Sequence, residues 1–306
     1  MLGCVNLGVE YEHGTGVTKN DAKAADLYQR ACDAGEALGC NNLGAAYKLG
    51  TGVTKNDAKA ADFYQRACDA GEALGCVNLG EAYGHGTGVT KNDAKAADLF
   101  QRACDAGEAL GCSNLGLAYL HGLGVSKDAA KGVGLFKRAC NAGNAQGCNS
   151  LGLAYEYGTG VTKNDAKAAD FYQRACDAGE ALGCVNLGVV YGQGTGVTKN
   201  DAKAADLFQR VCDAGEAQGC SNLGFSYLRG LGVSKDAAKG VELFKRACDA
   251  GDARACFLLG VATTQGLGGL QSDEAETVRL FRQACQGGSN EGCAALEQPR
   301  RDSLVF

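Results

Sequence analysis

Nowhere in its 306 residues does the chain hold an apolar run approaching the roughly 18 residues that a bilayer-crossing helix needs, which excludes a membrane span. Positive charge is not in excess either. Lys and Arg number 30 against 35 Asp and Glu, a net charge of −5, so there is no basic surface to grip phosphates and nucleic acid is excluded as a partner class. Only three histidines are present, His13, His85 and His121, and they fall in separate stretches of chain; a metallo-hydrolase would need them clustered. Tryptophan is missing, and the single proline, Pro299, stands near the end. Alternating β-branched runs are absent, so strands are not expected. The chain opens without the charged-then-apolar pattern of an export signal. With 45% apolar and 21% charged residues it can still bury a continuous core, and wholesale disorder does not fit.

Against these absences stand 17 cysteines. Reducing compartments seldom tolerate so many thiols, and the count points to export.

Self-similarity decides the fold. ALGCNNLGAAYKLGTGVTKNDAKAADFYQRACDAGE at 37–72 returns as ALGCVNLGEAYGHGTGVTKNDAKAADLFQRACDAGE at 73–108. The 36-residue repeat recurs from 109, 145, 181, 217 and, with one extra residue, from 253. Residues 1–36 are a similar copy and 290–293 a partial one, so 1–293 is expected to form a single solenoid, followed by a tail at 294–306. A longer period overlies the short one: GLGVSKDAAKG stands only at Gly122–Gly132 and Gly230–Gly240, so 37–144 and 145–252 match three repeats by three.

Each repeat predicts two helices. Cys40, Leu43 and Tyr47 share one face of the first, which Gly50 and Gly52 end. Thr54 and Asp57 stand at capping-box spacing, with Asn56 as a rival cap, and open a second helix that buries Ala61, Tyr64 and Cys68. Asp69-Ala70-Gly71 closes it. A hairpin of this kind cannot bury its apolar face alone and must stack on its neighbours.

The cysteines are separated alternately by 8 and 28 residues, with one 29. Local geometry at the tight corner between repeats favours the short link: Cys32–Cys40, Cys68–Cys76, Cys104–Cys112, Cys140–Cys148, Cys176–Cys184, Cys212–Cys220, Cys248–Cys256 and Cys285–Cys293. Pairing across the longer gap, Cys4 with Cys32 and onward, is the alternative, and parity does not choose between them. The short pairing leaves Cys4 over, whose mate would precede Met1, so the chain is expected to start inside a longer precursor. Zinc would want closer cysteine pairs converging on one point, and no metal or cofactor is expected.

The pattern LG-x-x-Y-x-x-G-x-GV followed by D-A-x-KA-x-x-x-x-x-x-A resembles the Sel-like repeat family, relatives of the tetratricopeptide repeats. With C-x₇-C at each junction, the chain is similar to the cysteine-rich branch best known from Helicobacter secreted proteins. The resemblance covers 1–293. It implies an all-α, right-handed α/α superhelix, disulfides between cysteines eight apart, and a secreted or periplasmic location. It also implies adaptor or host-interaction roles, while members of that branch are often labelled β-lactamase or penicillin-binding.

The sequence lacks the motifs of that chemistry. No Ser-x-x-Lys occurs; Ser126-Lys127 and Ser234-Lys235 are adjacent loop residues. GTGVTK lacks the spacing of a phosphate loop and recurs as a connector. No catalytic residue is assigned.

A binding stripe is legible instead. Beside its core face, the first helix shows repeat positions 6, 9 and 13 at helical spacing. Position 6 is nearly constant: Asn6, Asn42, Asn78, Asn114, Ser150, Asn186, Asn222. Positions 9 and 13 vary, as Glu81 and His85, Leu117 and His121, Leu153 and Tyr157, Val189 and Gln193, Phe225 and Arg229. In a tetratricopeptide-like stack this stripe floors the concave groove. Asparagine amides both donate and accept, which suits an extended peptide backbone, and the variable neighbours would choose its side chains. The other reading has each Asn bonding a neighbouring helix to fix the stack; the two are compatible. The expected function is a secreted or periplasmic scaffold for a protein or peptide, from host or cell envelope. The alternatives are a β-lactam or cell-wall binder with weak hydrolase activity and a cytosolic adaptor.

Overall fold

The computed structural model describes residues 2–297; the expectation placed on the tail beyond, that it is a frayed terminus or an apolar docking peptide, lies outside the described residues. Contacts divide the chain into two compact units, Met1–Lys163 and Asn164–Phe306, and the division falls inside the repeat 145–180. The first holds α1 (Leu2–His13), α2 (Asp21–Asp33), α3 (Ala37–Leu49), α4 (Asp57–Asp69), α5 (Ala73–His85), α6 (Asp93–Asp105), α7 (Ala109–His121), α8 (Ala129–Asn141) and α9 (Ala145–Tyr157). The second holds α10 (Asp165–Asp177), α11 (Ala181–Gln193), α12 (Asp201–Asp213), α13 (Ala217–Arg229), α14 (Ala237–Asp249), α15 (Ala253–Thr264), α16 (Glu274–Gln286) and α17 (Asn290–Glu297). The described residues contain no strand. Within each unit every helix packs on the next in sequence, the all-α solenoid that the repeat predicts.

Local chemistry sets the helix ends. The second helix of each repeat is capped by the residue before it, not by the threonine of the capping-box pattern. Asn56 Oδ1 accepts the backbone N–H of Lys59 at 3.0 Å, and Asn20, Asn92, Asn164 and Asn200 do the same at their own helices. Asp128 and Asp236 take over where the sequence changes to SKD. An Asn one residue before the helix reaches the free N–H of the third helical residue, whereas Thr54 lies too far back. Gly50 ends α3 in the left-handed conformation, φ 77°. The N–H of Asn56 then donates to the Tyr47 carbonyl at 2.9 Å and shuts the hairpin.

The core follows the two predicted faces. Cys40, Leu43, Ala61, Tyr64 and Cys68 are all buried, while Tyr47 is half-buried and stacks on Phe63 with ring centres 5.5 Å apart.

Repeats join at a corner that only glycine permits. A Cβ at Gly39 would stand 2.6 Å from Ala31 Cβ and 3.0 Å from the Cys32 nitrogen, so the start of α3 lies directly on the end of α2. That contact brings Cys32 and Cys40 to a Cα separation of 4.5 Å, within disulfide range, and the bond is formed. The same link closes at the seven later corners, so the cysteines eight apart are paired and the 28-residue pairing is not adopted. Cys4 is a free, half-buried thiol. Closing so short a loop is worth about 2.5 kcal/mol on the chain-entropy model.

Two further contacts tie successive repeats. Arg66 Nη2 donates to the Cys32 carbonyl at 3.2 Å, adding a second donor to an acceptor that the Gly35 N–H already reaches at 3.0 Å at the end of α2. Arg102 and Arg138 repeat this on Cys68 and Cys104, and Arg246 on Cys212. The loop glycine Gly52, φ 71°, lies over the first turn of the preceding second helix, where a Cβ would meet the Asp21 carbonyl oxygen at 2.0 Å.

These two demands on Gly52 separate experimentally. Gly71 also has positive φ, 92°, but open space around it. Gly71→Ala should cost about 1–2 kcal/mol of conformational strain, and Gly52→Ala clearly more, read as a lower urea midpoint. Equal losses would show that loop contact between repeats contributes nothing.

Candidate functional site

Neighbouring first helices leave open space between them, and the predicted stripe lines it. Between α5 and α7 is a cavity of about 390 Å³ whose walls include Glu81, His85, Asn114 and Leu117. A smaller one, about 70 Å³, lies on the other side of α5 and is reached by Asn78, Glu81 and His85, with Tyr64 and Lys48. In the second unit, Val189, Gln193, Asn222 and Phe225 line a cavity of about 360 Å³ between α11 and α13. At the two larger cavities positions 9 and 13 of one first helix meet positions 6 and 9 of the next, while at the smallest all three positions come from α5. A fourth, more open cavity of about 460 Å³ lies on the second-helix side, among Tyr83, Lys95, Asp98 and Arg102.

Asn78 also has a structural partner. Its Nδ2 donates to Oδ1 of Asn41 at 2.8 Å, across from one first helix to the next. Asn41 is 4% exposed, so this bond satisfies an acceptor that would be costly to leave bare. Asn222 Oδ1 accepts from Arg254 at 3.4 Å. At these two positions the amide helps to hold the stack and also borders a cavity.

Charges around the first cavities are local and paired. Lys48 and Glu81 approach to 3.7 Å between successive first helices, and Lys91 meets Asp93 at 3.6 Å. Burial, and behind it the charge of Glu81, pushes the Tyr64 hydroxyl up to about 12. The hydroxyl of Tyr28 is raised likewise, by burial and by donating to Glu12 Oε2 at 2.6 Å.

The remaining predicted residues are spread more widely. Asn42, His121, Leu153, Tyr157, Asn186 and Arg229 line none of the three first-helix cavities. Tyr157 is 71% exposed, and the Arg229 guanidinium lies 5.7 Å from the Phe225 ring. Sequence reasoning missed Phe100 and Leu123, and their counterparts Phe208 and Leu231, which come from the second helix and the connecting loop. It also missed Gly84 and Gly192, at the same place in each three-repeat block, a signal that the 108-residue period carried. Among the described residues no group of His, Cys, Asp and Glu is arranged to hold a metal ion, and no helix is long and apolar enough to cross a membrane.

The model of the Sel1 repeat matches residues 2–36, 37–72, 73–108, 109–144, 145–180, 181–216, 217–252 and 253–289. The chain belongs to the Sel1 repeat family. Sel1 repeats build scaffolds that typically mediate protein–protein interaction. Among solved structures, a Sel1 repeat protein from Oxalobacter formigenes is 26% identical with a TM-score of 0.73, over 80% of this chain and 99% of that one. A protective antigen present in uropathogenic Escherichia coli strains, of the same repeat fold, is 28% identical with a TM-score of 0.72, over 96% of this chain. This chain spans 63% of the antigen's length. Cysteine rich protein B of Helicobacter pylori is 32% identical over 45% of this chain and 99% of its own, with a TM-score of 0.36. No curated protein sequence matches the chain.

The raised Tyr64 hydroxyl fixes a pH dependence. A folded-state value of about 12 against 10.0 for a free phenol means the unfolded chain loses this proton first. The stability tied to the buried neutral phenol is therefore intact below pH 10.0 and is lost as pH climbs toward 12. Tyr64→Phe, the residue type at this register in Phe100 and Phe136, should remove phenolate absorbance from the late part of a rapid alkaline titration and flatten the fall in thermal midpoint. Loss of an early-titrating phenol instead would contradict the burial of this hydroxyl.

Proposed function

We propose that this Sel1 repeat protein is an exported scaffold that binds an extended segment of a host or cell-envelope protein along the face formed by the first helices of its repeats. The reading is carried by one observation: residues constant at position 6 and variable at positions 9 and 13 come together around open cavities between successive first helices. A uniform amide row suits the uniform backbone of an extended partner, and the variable neighbours suit its changing side chains. Loss of affinity on truncating such residues, without loss of fold, is how an interface of this kind differs from a core.

Export rests on the disulfides. Eight bridges close on a chain with a single remaining thiol, and such pairing persists in oxidising compartments. The similarity to a protective bacterial antigen agrees with that setting. The hydrolase alternative finds no support in the residues, since the chain holds no Ser-x-x-Lys.

Site-specific photo-cross-linking tests the reading. A photoreactive residue placed at Leu117 should capture protein partners from the secreted and envelope fraction of the producing cell, while the same group at Lys95, on the second-helix side, should not. Capture from Lys95 alone, or equally from both, contradicts binding through the first-helix face.

A further inference from the structure

Position 12 of the repeat carries a side chain in five of the first seven repeats. In the first repeat Glu12 lies on Tyr28 and accepts its hydroxyl proton at 2.6 Å. In the repeat 217–252 Leu228, 6% exposed, stands at position 12, and Phe244, at position 28, is fully buried. Lys48, Leu120 and Glu156 fill the same register elsewhere. Only two of the first seven repeats depart from this, and both have glycine: Gly84 and Gly192.

No backbone demand explains these glycines. Both are inside helices without positive φ, and a Cβ would meet nothing closer than Ala96 Cβ at 3.9 Å or Ala204 Cβ at 3.8 Å. Glycine is the poorest helix former after proline, so its presence weakens the helix without an obvious local return. What it does leave is room. The two larger first-helix cavities are the ones bordered by Gly84 and by Gly192. Their ring residues are also the least covered of the series: Phe100 is half-buried and Phe208 is 7% exposed, against 2% or less at Tyr28, Tyr64, Phe136, Tyr172 and Phe244.

The two cavities are built from the same parts 108 residues apart, one in each compact unit. Each has a Phe ring in its lining, Phe100 or Phe208, together with an alanine (Ala96 or Ala204) and large apolar residues, Leu117 with Leu123 or Phe225 with Leu231. At each mouth a lysine and an aspartate hold one another, Lys91 with Asp93 at 3.6 Å and Lys199 with Asp201 at 3.5 Å. Each of these pairs cancels locally; Glu81, which also lines the first cavity, is held by Lys48 at 3.7 Å, and Arg254, which lines the second, donates to Asn222 at 3.4 Å, so these charges already have partners and the rest of each lining is largely hydrocarbon and ring faces. Volumes of about 390 and 360 Å³ are at the small end of ligand pockets, suited to a side chain and not to a folded element. An amide stands at each rim, Asn114 or Asn222, able to bond a peptide group beside the buried side chain.

We infer that Gly84 and Gly192 each open a specificity pocket that takes one bulky uncharged side chain, leucine, methionine, phenylalanine or tyrosine, from the extended partner. The bound side chain takes the place that a position-12 side chain holds in the other repeats. This inference rests on the first-helix face being the binding face.

The test uses the full, oxidised chain and a displayed library of random linear peptides. Selected peptides should share a large uncharged side chain as anchor. Replacing that anchor by alanine, or filling both pockets with Gly84→Leu and Gly192→Leu, should each weaken binding at least tenfold. Leucine is native to this register at Leu120 and Leu228, so circular dichroism and thermal midpoint should hold; a Gly84→Lys and Gly192→Lys pair, copying Lys48, is the second filling. Peptides that bind but ignore both fillings, or that are anchored by a charged side chain, overturn the pockets and leave the binding face standing. If no peptide is enriched and Leu117 cross-links nothing, the face itself fails, and the pockets with it.

Discussion

Everything in this fold depends on how closely the end of one repeat's second helix can approach the start of the next repeat's first helix. A missing side chain at Gly39 and its counterparts lets the two backbones touch. Touching backbones put two cysteines within bonding distance, and the disulfide then fixes the corner. The arginine of the following second helix completes the joint from outside, by donating to the carbonyl of the first cysteine of the bridge. The corner is thus a covalent bond, a packing contact and a charge-assisted hydrogen bond at one place. Because each repeat touches mainly its neighbours, stability accumulates corner by corner, as expected of a solenoid.

That division of labour frees the rest of the first helix. Core positions such as Leu43, Leu79, Leu115 and Leu151 hardly change along the chain, while positions 9, 12 and 13 change from repeat to repeat. A scaffold that fixes its own geometry through its corners can vary the exposed stripe at little cost to folding, and variation there is what would distinguish one partner from another. The three-repeat period extends this: the same variant, glycine at 84 and 192 with phenylalanine at 100 and 208, returns in the middle of each block.

Much of this was legible beforehand, for physical reasons. Hydrophobic spacing gave Cys40, Leu43 and Tyr47 a common face, and the eight-residue cysteine interval spans a corner that only a tight turn can make. Helix starts were less legible. Thr54 fits a capping-box spacing as a string of letters, yet Asn56 takes the cap because it is adjacent to the helix and its short amide reaches the third N–H. The role of Asn78 was half legible. Its partner Asn41 is 37 residues away, and no rule of local spacing says which amides will face each other between repeats. Least legible were the cavities, since they are made by atoms that are not there. Gly84 reads as a weak helix residue until the ring it leaves uncovered, Phe100, is seen beside it.

Oxidised corners hold the fold together, so counting thiols tests it most directly. Native protein isolated with its thiols blocked at once, then unfolded and weighed intact, should carry a single alkylated cysteine, mapping to Cys4. Reduction before blocking should raise the number to all 17 in the sequence. Seventeen alkylated cysteines without reduction would contradict the stapled solenoid, and with it the argument for export.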